Sequence, residues 1–297
     1  MPSSFLAALR AGALVADGAM GTELHARGFL YDVNYENLNL SRPEVVRGIH
    51  QAYARAGARV LETNTFGANR ARLARHGLEG LARAINLAAA RLAREAAPEG
   101  AFVVGALGPT GAPLDTGAGR REAEGALREQ AAALADGGVD ALLVETMTRP
   151  DELALALAAA RREAPGLPLV AQMVVNERLE LEGGAALDAA GARLAALGAD
   201  ALGVNCSDGP LAALALERLR PLGLPLTAMP HAGLPRETEG LLAYPETPEA
   251  FGRLARRLFA LGAALVGGCC GTTPEHVRRV AEAAREGAER PAAPAPD

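Results

Sequence analysis

The chain has 297 residues, 30 of them basic and 35 acidic, for a formal net charge of −5. Every base is Arg, and the acidic balance excludes the basic face that a nucleic-acid partner would need. No apolar run reaches the roughly 18 residues of a membrane span, and Met1 to Arg10 lacks a secretory leader, so a cytoplasmic location is expected.

Short β-type runs alternate with Ala/Leu/Arg stretches of helical spacing. In chain order the sequence predicts strands near 13–17, 58–63, 101–107, 139–146, 168–175, 200–205, 224–229 and 263–268. Between the first two, residues 44–56 place Val45, Ile49, Ala52, Tyr53 and Ala56 on one helical face. Ser41-Arg42-Pro43-Glu44 reads as a capping box, and Pro follows Thr at Thr247-Pro248 and Thr273-Pro274, as in helix first turns. Gly57, Gly198 and Gly262 stand where helices stop and strands begin. Eight strand–helix units point to an α/β fold, a single-domain (β/α)₈ TIM barrel over residues 1–289. The Pro/Ala run 290–297 reads as a tail or linker. The Asp17-Gly18-Ala19-Met20-Gly21 loop is glycine-rich but led by a carboxylate. That suits a cation or an amine better than a phosphate.

The cysteines carry the chemistry. Cys206 follows the sixth strand, and Cys269 and Cys270 follow the eighth. In a barrel these ends share the C-terminal rim, so three sulfurs can face one point, with Gly267, Gly268 and Gly271 allowing unusual backbone there. Three readings stand on residues alone: a soft three-thiolate zinc site with an open fourth position, buried apolar cysteines, or a redox pair of the adjacent Cys269 and Cys270. An odd count with two neighbours is a poor disulfide framework and favours a reducing compartment. In the zinc reading an incoming thiol takes the open position and is deprotonated there. Such a site favours attack by sulfur on carbon over hydrolysis.

These residues resemble the homocysteine S-methyltransferase family, which includes the zinc barrels of cobalamin-dependent methionine synthase and of betaine–homocysteine methyltransferase. The resemblance covers about residues 10–285. It rests on Asp17-Gly18-Ala19-Met20-Gly21-Thr22, Glu62-Thr63-Asn64-Thr65-Phe66, Gly108-Pro109, Glu145-Thr146, Asn205-Cys206 with Gly209-Pro210, and Gly267-Gly268-Cys269-Cys270-Gly271-Thr272-Thr273-Pro274. It implies a barrel in which Cys206, Cys269 and Cys270 bind Zn2+ and homocysteine adds a fourth sulfur. It further implies that Glu145 and Asp17 meet the ammonium group and that Gly18 and Ala19 offer backbone N–H groups to the carboxylate. Thr63 and Asn64 are further pocket candidates. Asn205 either orients Cys206 or caps the next helix. His231 stands where methionine-synthase-like barrels carry Asn. It is read either as a zinc ligand when substrate is absent or as a rim residue bonding substrate or solvent. His25, His50, His76 and His276 are assigned no chemistry.

The implied reaction is methyl transfer to homocysteine, giving methionine. The expected donor is linked to methylcobalamin or methyltetrahydrofolate on a partner domain or protein, since no donor-binding domain fits beside a full barrel. S-methylmethionine, S-adenosylmethionine or betaine is the alternative donor. A methyltransferase for another thiol or selenol, and a non-catalytic zinc- and thiol-binding barrel, are the competing functions. The Ala/Leu/Arg helices suit an exposed or a paired surface equally, so no oligomeric state is expected over another.

Overall fold

The computed structural model describes residues 4–30, 33–238 and 241–289. The Pro/Ala run 290–297 lies outside them. Eight parallel strands form the barrel: β1 (Leu14–Val15), β2 (Val60–Glu62), β3 (Phe102–Leu107), β4 (Ala141–Met147), β5 (Leu169–Met173), β6 (Ala201–Asn205), β7 (Leu226–Met229) and β8 (Ala263–Val266). Their order around the sheet is β1-β8-β7-β6-β5-β4-β3-β2. A parallel bridge between Ala16 and Val60 joins the two ends, supported by Asp17 N donating to Val60 O at 3.0 Å. The sheet is therefore a closed (β/α)₈ barrel without a free edge. All eight expected strands are present, each shorter than its sequence run.

Strand interiors are largely aliphatic or small, and both faces are covered, as a parallel sheet requires. Inside the barrel Ala16, Val60, Val104, Leu143, Val170 and Leu265 form one apolar cluster. Phe5 and Leu9 of the N-terminal helix Phe5–Ala11 close it from below. Outside, the helices bury a second, larger cluster against the strands. Two short antiparallel hairpins, Glu180–Leu181 with Ala185–Ala186 and Arg236–Thr238 with Leu241–Ala243, decorate the loops after β5 and β7. The sequence pattern did not announce them. Among the described residues no helix is long and apolar enough to cross a membrane.

Two helix details differ from expectation. Ser41 does not cap the helix Pro43–Ala56. It ends the preceding helix Leu38–Ser41, and its hydroxyl donates to Asn37 O at 3.1 Å, leaving Arg42 at the cap with no side-chain bond. The buried face of Pro43–Ala56 also includes His50 alongside Val46, Ile49, Tyr53 and Ala56. By contrast Thr247 caps as expected, its Oγ1 accepting from Ala250 N at 3.3 Å.

Candidate metal centre and substrate pocket

The strand ends bring the three cysteines together. Cys206, Cys269 and Cys270 offer sulfurs that all lie within 4.8 Å of one another. Cys206 N donates to Met229 O at 3.1 Å, Cys269 N to Pro230 O at 2.9 Å, and Cys270 O accepts from Ala232 N at 2.9 Å. Backbone bonds from β7 and the segment after it thus fix all three residues before any ligand arrives. The local backbone differs from the simplest glycine argument. Cys206 itself takes the left-handed conformation (φ +48°), as does Gly271 (φ +81°). A non-glycine residue held there is strained, and such strain gathers at functional sites. Gly267 and Gly268 serve close packing instead. A Cβ on Gly267 would lie 2.7 Å from Ala16 Cβ, and one on Gly268 2.6 Å from Thr272 Cβ.

Cys206 and Cys269 are joined as a disulfide with Cα atoms 5.5 Å apart, and Cys270 is free. This corrects two expectations: the cysteines do contain a workable pair, and that pair links β6 to β8 rather than the adjacent Cys269 and Cys270. The closed barrel sets two strand ends at bridging distance, which linear spacing conceals. The donor set nonetheless fits a soft divalent metal. Zinc–sulfur bonds of about 2.3 Å in a tetrahedron place sulfurs about 3.8 Å apart. Cys270 Sγ already lies 3.8 Å from Cys206 Sγ and 4.0 Å from Cys269 Sγ. Reduction of the one bond and a parting of its sulfurs would complete the triangle. Desolvation by the surrounding protein, followed by the Glu145 charge, pushes the Cys270 thiol above its ordinary range. A metal would therefore be needed to hold it as thiolate at neutral pH.

Beside the sulfurs lies a cavity of about 430 Å³ whose walls include Asp17, Glu62, Glu145, Phe66 and Met229. Gly18, Ala19, Thr63, Asn64 and Asn205 also line it, so every expected site residue except His231 meets here. Their tasks differ from one another. Asn205 neither caps a helix nor turns its amide to Cys206. Its Nδ2 donates to Glu145 Oε2 at 3.0 Å and to Thr146 Oγ1 at 2.6 Å, while its Oδ1 accepts from Thr146 N at 2.9 Å. Asp208 caps the next helix instead, accepting from Leu211 N at 2.8 Å. Thr146 is a second non-glycine residue in the left-handed region (φ +54°), so Asn205 pins a strained strand end and aims Glu145 into the cavity.

Ala19 N donates to Thr272 Oγ1 at 3.1 Å, so of the two backbone groups expected at a substrate carboxylate that one is already engaged. Tyr53 OH bonds both Ala19 O at 2.8 Å and Thr272 O at 3.1 Å, tying the β1 loop to the β8 loop. Thr63 Oγ1 pairs with Thr65 Oγ1 at 2.7 Å, and Asn64 Nδ2 holds Tyr35 O at 2.8 Å. These two side chains brace the wall. His231 is not gathered with the sulfurs: its Nδ1 accepts from Gly233 N at 3.0 Å, in its own loop.

The sequence reading gave no role to Glu62, His50, Tyr35, Phe66, Met229 or Tyr244. His50 is fully buried, with Nδ1 3.9 Å from Asp17 Oδ2 and neither ring nitrogen hydrogen-bonded. Burial pushes Asp17 up to about 8 and His50 down to about 4. Both directions disfavour an ion pair between them. The position of Glu62 at the end of β2, one residue before Thr63, was the available signal for it.

A closed barrel with three converging sulfurs beside an acid-lined cavity defines a class of barrel proteins with a sulfur-rich site at the rim. Comparison narrows that class. The profile of the homocysteine S-methyltransferase family matches residues 14–284, and the chain belongs to that family. Methionine synthase of Mycobacterium tuberculosis is 37% identical over 295 residues, taking 91% of this chain and 24% of its own length. Methionine synthase of Mycobacterium leprae is 36% identical with the same coverage, so the chain spans about a quarter of these curated relatives. Among solved structures, the metallated form of Escherichia coli homocysteine methyltransferase MmuM superimposes with a TM-score of 0.77 at 30% identity, covering 91% of this chain and 95% of that one. Its oxidized form gives 0.75 at 31%, covering 90% and 94%.

Proposed function

We propose that this barrel transfers a methyl group to the thiol of homocysteine, with zinc held by Cys206, Cys269 and Cys270. The supporting observation is the convergence of the three sulfurs beside a cavity walled by buried carboxyls. Zinc, when bound, would supply the charge that keeps an incoming thiol ionised and nucleophilic at neutral pH. The rest is the work of the chain. Three cysteines leave a fourth position for substrate sulfur. Glu145, aimed by Asn205, and Asp17 take the ammonium end and fix the amino acid. The cavity's volume lies near the lower end of the roughly 300–1,000 Å³ range of small-molecule sites, which suits an amino-acid thiol. Phe66 and Met229 supply apolar wall. The substrate sulfur then forms its bond to the methyl carbon as the carbon–donor bond breaks, its electron pair leaving with the donor. Holding the sulfur in line is the main contribution of the fold. A reducing cytoplasm is the compartment in which the thiols would persist.

For the donor we favour methylcobalamin or methyltetrahydrofolate carried outside this barrel. The support is the run Gly271-Thr272-Thr273-Pro274 and the higher identity to the two methionine synthases than to MmuM. The test incubates reduced, zinc-loaded protein with homocysteine and, in turn, methylcobalamin, methyltetrahydrofolate with a cobalamin carrier, S-methylmethionine, S-adenosylmethionine and betaine. Methionine is expected with a cobalamin-linked donor. Methionine only with a sulfonium donor would reverse the donor assignment, and none with any donor would leave a zinc- and thiol-binding barrel.

A further inference from the structure

Glu62 stands in the cavity wall, and the function proposed above leaves it without a task. Its backbone N–H donates to Asp17 Oδ2 at 3.0 Å. Its carboxyl shares the cavity wall with that of Glu145. It therefore stands with the two acids assigned to the amino-acid head. A second observation bears on the same spot. Asp17 is only 2% exposed, yet its Oδ1 has no partner. A buried carboxyl oxygen without a partner is costly unless a ligand supplies one. The cavity lining contains four acids, Asp17, Glu36, Glu62 and Glu145, and no Arg or His. Asp17, Glu62 and Glu145 share that lining, with one unpartnered carboxyl oxygen among them. The group they would take is a cation with several N–H donors, and an ammonium has three.

We infer that Glu62 is the third acceptor of the ammonium subsite and sets selectivity for thiols that carry an α-amino group over thiols that lack one. The inference rests on the homocysteine reading above. Before substrate enters, buried carboxyls that share one cavity wall disfavour a second negative charge, so one of them holds a proton. Burial, with the Glu145 charge behind it, pushes the Glu62 carboxyl well above the usual range, in keeping with a held proton. An arriving ammonium replaces that proton as the positive charge in the cluster, and the proton leaves to solvent. A thiol without the amino group brings no replacement and meets a wall of carboxyls with its own carboxylate.

The test compares binding of L-homocysteine and 4-sulfanylbutanoate, which keeps the thiol and carboxylate but lacks the amino group. Titration calorimetry would use reduced, zinc-loaded wild type, Glu62→Gln and Glu62→Asp, with zinc content measured alongside. Glu62→Gln is expected to weaken homocysteine by about 10- to 100-fold, the worth of one charge-assisted hydrogen bond. The analogue should change less than about 2-fold, zinc should stay at one per chain, and Glu62→Asp should recover part of the lost selectivity. Equal weakening of both ligands by Glu62→Gln, or of neither, would overturn the inference while the homocysteine reading stood. Failure of wild type to bind homocysteine would remove both together. Should Glu62→Gln not fold, Glu62→Asp decides: unchanged discrimination between the two ligands overturns the inference.

Discussion

Asn205 is the hinge pin of the proposed substrate pocket, and its replacement tests how that pocket is held. Its amide is 2% exposed and makes three hydrogen bonds, one to Glu145 and two to Thr146. Asn205→Ala strands the Thr146 N–H and removes a donor from the Glu145 carboxyl. At about 1–3 kcal/mol for each buried group left unpaired, the expected loss of stability is about 2–5 kcal/mol. Asn205→Asp is more discriminating. It keeps the Oδ1 acceptor for Thr146 N but turns an oxygen toward Glu145 Oε2, where a donor now sits at 3.0 Å. Two charges at that distance repel by on the order of 5 kcal/mol at an effective dielectric of 20, enough to rotate Glu145 away or force a proton onto the pair. The assay combines urea unfolding, zinc content and homocysteine titration. Homocysteine binding should weaken at least about 10-fold in Asn205→Asp while zinc stays bound, because the sulfurs are fixed by β7 and the segment after it. Wild-type affinity in that variant would refute the reasoning that Asn205 aims Glu145.

Further outcomes follow from the same geometry. Asp17 has a folded pKa of about 8 against 3.8 in the unfolded chain, so the fold favours its neutral form. Stability from this group is therefore highest below the unfolded value and falls as pH rises toward 8, where it levels off. Asp17→Asn should remove that loss, raising Tm at pH 8 relative to wild type while weakening homocysteine binding; a lower Tm at pH 8 in a folded variant would contradict it. Thiol titration in denaturant should count three groups in reduced protein and one after mild oxidation, with zinc uptake lost in step. Three titratable thiols after oxidation would exclude the Cys206–Cys269 bond. Gly18→Ala would place a Cβ 2.7 Å from Thr272 Oγ1 and 2.8 Å from Tyr53 Cε1, breaking the tie between the β1 and β8 loops. Thermal unfolding should show a loss of about 1–3 kcal/mol, the usual cost of overpacking, and an unchanged Tm would show that the tie yields freely.

The barrel was legible because its signal is periodic: apolar strands alternate with helices whose stops and starts are marked by Gly57, Gly198, Gly262 and Thr247. Convergence of the three cysteines followed from that order alone, since residues at the ends of β6 and β8 must share one rim. Side-chain partnerships were not legible. Asn205 reads as a cap or a neighbour of Cys206, yet it reaches across to β4, and only the barrel's closure brings Thr146 within 2.9 Å. His50 and Glu62 escaped for a common reason: a polar residue in a helix or at a strand end reads as solvated, and its burial depends on what packs over it. Ser41 was misread because a short helix, invisible to periodicity, ends on it. The bond between Cys206 and Cys269 spans 63 residues and is set by tertiary geometry, not spacing.

Zinc stoichiometry tests the three-sulfur site most directly. Reduced, metal-free protein would be titrated with zinc and the bound metal measured after desalting, for wild type, each single Cys→Ala variant and His231→Ala. One tightly held zinc per chain is expected in wild type and in His231→Ala, and loss of tight binding in Cys206→Ala, Cys269→Ala and Cys270→Ala alike. Full zinc retention in any one of the folded cysteine variants, or no zinc in the reduced wild type, would contradict that expectation.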